Sequence, residues 1–258
     1  MKIWSFFFSP LEQFEVLALE PIYINGIDFS ITNETIILFI LLYFFTILFS
    51  SCKNPKDLTL NLIPNKFQIL FEIVYKMILS LVVDNLGKEH GQKFFPIIFS
   101  IFFFIVSLNL IGLIPYSFTL TSHLIVTFAL ALFIFIALNI ICVRTHGFAF
   151  FSLFLPSGTS FALALLLVPI ELISYIFKPI SLSIRLFANM MAGHTLLKVI
   201  AGFGWTLAGC SGILFLVHYI PLLILLPLFG LELGVALIQS FVFVILICIY
   251  LNDAINLH

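Results

Sequence analysis

Apolar residues fill this chain in long unbroken runs, and the few polar positions inside those runs recur at helical spacing. The first run, Thr35 to Phe49, carries no charge. Extended a little at each end it predicts a membrane-spanning helix, since a bilayer needs roughly 17 to 25 apolar residues. From Asn65 to Leu86 the pattern changes: Phe67, Leu70, Phe71, Val74, Met77, Ile78 and Leu81 share one side of a helix against Lys66, Glu72, Lys76 and Asp84. That pattern predicts an amphipathic helix lying at the membrane interface, with a soluble connector helix as the plainer alternative. Phe94 to Leu113 and Leu124 to Val143 predict a transmembrane hairpin turning through Pro115 to Ser122, and Arg144 and His146 close it.

Past Pro156, Ser157 and Thr159 offer helix N-caps. An apolar pattern then runs from Ser160 to Ala201, ahead of glycines at 202, 204, 209 and 212. At 1.5 Å per residue these residues would make a helix of roughly 63 Å, about twice the hydrocarbon thickness, so it must tilt steeply, kink or break. Ser211 to Leu251 repeats the problem, with Pro221 and Pro227 as kink positions. The expected fold is an all-α membrane protein. It has an N-terminal transmembrane helix, an interfacial amphipathic helix, a transmembrane hairpin, and a hairpin of two long, strongly tilted helices joined by a glycine-rich turn from Gly202 to Gly212.

Composition agrees with the pattern. The chain is 62% hydrophobic and 9% charged, against about 25% charged in an ordinary soluble domain. A net charge of -1 gives no case for a nucleic-acid partner. The charges are uneven: beyond residue 93 the only charged residues are Arg144, Glu171, Lys178, Arg185, Lys198, Glu232 and Asp253. Residues 1–93 are thus expected to form a partly wet N-terminal segment, with residues 94–258 as the membrane domain. Ahead of the first span lie Glu12, Glu15, Glu20, Asp28 and Glu34, and after it lie Lys53, Lys56, Lys66, Lys76, Lys88 and Lys93. The positive-inside rule therefore puts the N-terminus outside. Met1 to Phe8 is too short for a secretory signal. Cys52, Cys142, Cys210 and Cys248 are too scattered for a metal or disulfide frame and read as buried thiols. Asn33-Glu34-Thr35 matches a glycosylation sequon of a kind that arises by chance.

Against that apolar background Arg185 is the most informative residue. A guanidinium cannot be deprotonated in a protein, and holding one at mid-bilayer depth costs between about 3 and 17 kcal/mol. Residues seven apart on a helix differ by about 20° in azimuth, so Glu171, Lys178 and Arg185 form one series, with Ser174, Ser181 and Asn189 within about 40° of the arginine. His194 falls about 180° round and some 13 Å along, on a different surface. A second heptad series, His218, Glu232, Gln239 and Asp253, marks the last helix. Packed antiparallel, the two helices would line paths from both faces toward Arg185, which describes a proton route with a barrier in it.

Each residue also has a plainer reading. Intramembrane charges can be structural ion pairs, although Arg185 has no opposite charge at i±3 or i±4. His194 could be a packing histidine, Gln239 and Asn189 could be amides bridging helices, and Lys178 and Lys198 are expected to snorkel. A secondary transporter would show internal pseudo-symmetry, and none is visible between the halves. A haem-bearing subunit would need more membrane histidines than His194 and His218, and a plain membrane anchor would have no use for Arg185.

The segment from Ser181 to His194, SLSIRLFANMMAGH, closely resembles the central signature of the a-subunit family of F-type ATP synthases in its mitochondrial form. The likeness extends to SPLEQFEV, IPNKFQILFEIVY, SLNLIGLIPYSFTLTSHLIVTFALAL and LELGVALIQSFVF, covering nearly the whole chain. It implies that Arg185 is the stator arginine facing a rotating ring of c subunits. It also implies that His194 and Glu232 are the pair of the half-channel from the intermembrane space, an ordering of the two that points to mitochondria. By the same resemblance Gln239 lies beside the arginine, while Asn189, Glu171 and Asp253 match polar family positions, Glu171 at the matrix-side exit. His218 is added from spacing alone. The resemblance further implies no cofactor or metal and no ATP chemistry on this chain itself. The expected partners are the c-ring, the peripheral stalk, other membrane subunits and lipid. The expected location is the mitochondrial inner membrane, with the N-terminus toward the intermembrane space and the C-terminus toward the matrix.

Overall fold

The computed structural model describes residues 14–24, 27–51, 66–114, 117–147, 161–209 and 216–255. Among them five helices carry the fold: α1 Asn33–Ser51, α2 Lys66–Gly112, α3 Leu124–His146, α4 Phe161–Ala208 and α5 Tyr219–Ile255. Four of these, α2 to α5, are long and apolar enough to cross a membrane, and a shorter apolar stretch, Asn33–Ile47, lies within α1. The chain is an all-α membrane protein. Expected features at Cys52, Cys210, Gly212, Pro115 and the N-cap positions Ser157 and Thr159 lie outside the described residues.

Ahead of α1 comes a small nested hairpin that the hydrophobic pattern does not announce: β1 Ala18–Glu20 pairs antiparallel with β4 Ile31–Thr32, enclosing β2 Tyr23–Ile24 paired with β3 Ile27–Asp28. Strands this short carry no readable alternation. Asn33 ties the hairpin to the helix. Its Nδ2 donates to the Glu15 carbonyl at 3.1 Å, and its Oδ1 accepts the Leu17 amide at 3.3 Å and the Glu34 amide at 3.1 Å. The residue of the chance sequon is thus a clamp and helix start, which suits the affinity of Asn for helix N-termini.

α2 is two helices joined at Gly87, whose φ of 76° and ψ of 170° fall in a region open essentially to glycine. The expected separation of residues 65–86 from the span that follows is therefore present. The structure adds that the first part folds back along the second: Tyr75 packs edge-on against Phe95 and Phe99, and Phe71 edge-on against Phe99 and stacked on Phe103. Its buried stripe is Ile78, Val82 and Leu86, while Leu70 and Met77, expected on the apolar face, stay exposed.

α4 is a single helix of 48 residues that runs on through Pro169 and Pro179. It also continues through Gly202 and Gly204 to Ala208, so the expected start of the turn at Gly202 is corrected. A methyl group on Gly204 would sit 3.4 Å from Pro221, in ordinary contact with the start of α5. α5 continues through Pro227. α2, α3, α4 and α5 share one core around Ile98, Phe102, Ile105, Ala131, Leu186 and Phe243. Leu41 of α1 joins a smaller cluster with Leu108, Phe118 and Leu120. Cys142 and Cys248 are free and buried, as thiols in an apolar core.

Candidate functional site

α4 and α5 pack antiparallel, and along their seam lie three polar pairs. At one end Lys178 Nζ lies 3.5 Å from Asp253 Oδ2, with the ammonium 4.7 Å from the centre of the Tyr250 ring and 5.3 Å from that of Tyr175. Lys178, expected to snorkel, meets at the seam a half-exposed carboxylate and two aromatic faces. Tyr175 in turn donates its hydroxyl proton to Asn139 of α3. The same end is closed by His146, whose Nε2 sits 2.8 Å from the Ile255 carbonyl.

At the middle of the seam Asn189 Nδ2 donates to Gln239 Oε1 at 2.9 Å. One turn away Asn109 of α2, fully buried, donates to the Ala236 carbonyl at 3.3 Å. Residues 232, 236 and 239 share one face of α5, so Asn109 ties α2 to the backbone of α5 near the glutamine. Asn109 was not singled out in the sequence, where a single amide in an apolar run carries little signal.

At the far end His194 Nδ1 lies 3.6 Å from Glu232 Oε1, with side chains 13% and 5% exposed. The two residues meet although they are far apart in sequence. Simple counting from a turn centred near residue 207 opposes 194 to about 220, but α4 ends only at Ala208 and α5 begins at Tyr219. Counting from the midpoint of those ends brings 194 within one residue of Glu232. Gly193 makes the contact possible: a Cβ there would lie 2.7 Å from Glu232 Oε1 and 3.2 Å from Glu232 Cγ, so the carboxylate arm lies directly across the glycine. Neither Glu232 oxygen has a hydrogen-bond partner among the described residues, and the same holds for His194 Nε2 and Gln239 Nε2. Buried polar atoms left bare are costly, so these atoms have capacity for further hydrogen bonds.

Arg185 is a member of none of the three pairs, although its charge is felt at Tyr250, beside the Lys178–Asp253 pair. It is exposed, and it makes no hydrogen bond or ion pair with the described residues. Its neighbours Leu182, Ser183 and Leu186 are buried, and Ser183 Oγ lies 3.2 Å from Thr127 Oγ1 of α3, which fixes the roll of α4 at this level. The arginine and His194 therefore do occupy different surfaces. Glu171 is also exposed, about 21 Å before Arg185 along the helix. His218 is not brought to the glutamate: it lies just before α5 with its ring 4.1 Å from that of Tyr219, about 21 Å short of Glu232. The heptad series on α5 thus faces α4 at Glu232, Gln239 and Asp253.

A family model described as ATP synthase A chain matches residues 34–252. ATP synthase subunit a of Pylaiella littoralis is 54% identical over 252 residues, covering 98% of this chain and 100% of that protein. Its counterpart in Chondrus crispus is 51% identical over 250 residues, covering 97% of each chain. That of Marchantia polymorpha is 48% identical, covering 97% of this chain and 99% of the other. With half of its residues shared end to end with such relatives, and with a family match that spans every long helix, the chain belongs to the ATP synthase subunit a family.

Proposed function

We propose that this chain is the stator subunit that offers two proton half-channels to a rotating c-ring, with Arg185 as the barrier between them. One observation carries the reading. Along α4 the Lys178–Asp253 pair lies about 10 Å to one side of Arg185 and the His194–Glu232 pair about 13 Å to the other, while Arg185 itself is exposed.

The chemistry follows from that order. A ring carboxylate arriving about 4 Å from Arg185 gains roughly 4 kcal/mol at an effective dielectric near 20, which favours its ionised form about a thousandfold, so its proton leaves there. Beyond the arginine a bare carboxylate cannot enter lipid and takes a proton from the other side, relayed by His194 and Glu232. Asn189 and Gln239, bonded to each other one turn from Arg185, hold the seam closed between the routes. Asp253, with Glu171 further along, lines the matrix-side exit. Each proton crossing 100 mV supplies about 2.3 kcal/mol, released as biased rotation. ATP chemistry takes place on other subunits, and this chain binds the ring, the peripheral stalk, other membrane subunits and lipid.

The membrane is the mitochondrial inner membrane, with the N-terminus in the intermembrane space and the C-terminus in the matrix. Residues 1–93 supply one span and the matrix-side amphipathic helix, and residues 94–258 supply the hairpin and the two tilted helices. Cysteine cross-linking tests the ring contact. Ala188 is exposed one turn from Arg185, and Ala188→Cys in the assembled complex should form disulfides with cysteines placed mid-helix in the ring subunits. Absence of any ring cross-link from position 188, with efficient cross-links from a cysteine on the opposite side of α4, would contradict the assignment.

A further inference from the structure

From Phe14 to Tyr23 every residue is exposed except the first: Phe14 retains 8% of its surface. Its ring lies against His194, centroid to centroid 6.3 Å at an interplanar angle of 68°. That is the edge-to-face arrangement favoured between π systems. Within residues 14–23 Phe14 is the one buried side chain, and Asn33 ties down the stretch that follows it. The Asn33 side chain grips Glu15 and Leu17 on either side of Val16, and the Leu17 carbonyl accepts the Asn33 amide at 3.2 Å. β1 pairing with β4 continues the stitching outward. The start of α1 therefore fixes the segment whose end covers the imidazole, and α1 is itself seated on α2 and the following loop through Leu41.

We infer that Phe14 is a positioning residue and cap for His194: its ring shuts one side of the imidazole from lipid and bulk water and holds Nδ1 toward Glu232. The inference rests on the reading of His194 and Glu232 as the entry relay and gives that relay a defined mouth. Protons then reach the pair past a narrow hydrophobic rim. Two constraints meet at the imidazole, the Glu232 carboxylate lying over Gly193 from α5 and the Phe14 ring from the N-terminal segment. Sequence spacing could not reveal the second, since nothing in a helical pattern links residue 14 to residue 194.

The test is the reactivity of individual histidines in the intact complex, reconstituted in liposomes and treated briefly with diethyl pyrocarbonate, with acylation read peptide by peptide by mass spectrometry. Phe14→Ala should raise acylation of His194 severalfold while leaving His90, His146 and His218 at wild-type levels, and Phe14→Tyr should restore protection. Asn33→Ala, which keeps Phe14 but removes its clamp, should raise His194 acylation in the same selective way. Unchanged His194 acylation in either Ala variant, or an equal rise at all four histidines, would overturn the inference. His194→Gln, assayed in parallel for proton-driven ATP synthesis, separates the two levels. Wild-type synthesis in that variant would defeat the relay itself, whereas lost synthesis with unaltered acylation in Phe14→Ala would defeat only the cap.

Discussion

At Gly193 a single methyl group would stand in the way of the close approach of Glu232 to His194. The Glu232 arm crosses this residue so closely that an added Cβ would meet three of its atoms within 3.2 Å. The arm is flexible, so Gly193→Ala should cost the fold little, well under the roughly 1–3 kcal/mol of a rigidly overpacked core. The carboxylate would instead swing away and lose the 3.6 Å approach to His194. Proton-driven ATP synthesis by the assembled complex is therefore expected to fall by about tenfold or more, in line with the weight of general acid–base transfer. Partial recovery is expected in Gly193→Ala combined with Glu232→Asp, whose shorter arm clears the new methyl group. Wild-type synthesis in the single variant would show that the approach is not needed.

Among the elements α4 sets the geometry. At 48 residues it measures about 72 Å, so standing along the membrane normal it would leave some 40 Å outside a 30 Å hydrocarbon layer. Both of its ends are apolar and exposed: Leu165, Leu166 and Ile170 at the start, Val199, Phe203 and Trp205 toward the close. Only a steep tilt keeps both ends in lipid. A density map of the complex in a lipid belt should show α4 closer to the membrane plane than to the normal, and an upright helix with protruding apolar ends would contradict the account.

Across the whole molecule, what could be read in advance divides by the range of the interaction. Helix positions follow from local apolar runs, and the α1 and α3 boundaries stand within a few residues of the pattern. Arg185, Asn189, His194, Glu232 and Gln239 could be picked out because a polar residue in a spanning run is rare, and the heptad spacing placed Glu232, Gln239 and Asp253 on the face that meets α4. Long-range packing was not readable. α4 runs past Gly202 and Gly204 to Ala208, residues 66–86 double back where one glycine adopts a positive φ, and Lys178 meets Asp253 from the other helix. Phe14 and Asn109 gave no local sign of their contacts. His218, added from heptad spacing, lies beside Tyr219 and away from the Glu232 pair.

The central claim is that one exposed arginine keeps two polar clusters apart and discharges the ring. It is tested most directly by the rate of ATP synthesis under an imposed proton gradient in liposomes containing the complex with Arg185→Ala, its subunit composition verified by mass. The account predicts an assembled complex, with its ring in place, that makes no ATP from the gradient. Synthesis at the wild-type rate by that complex would contradict it.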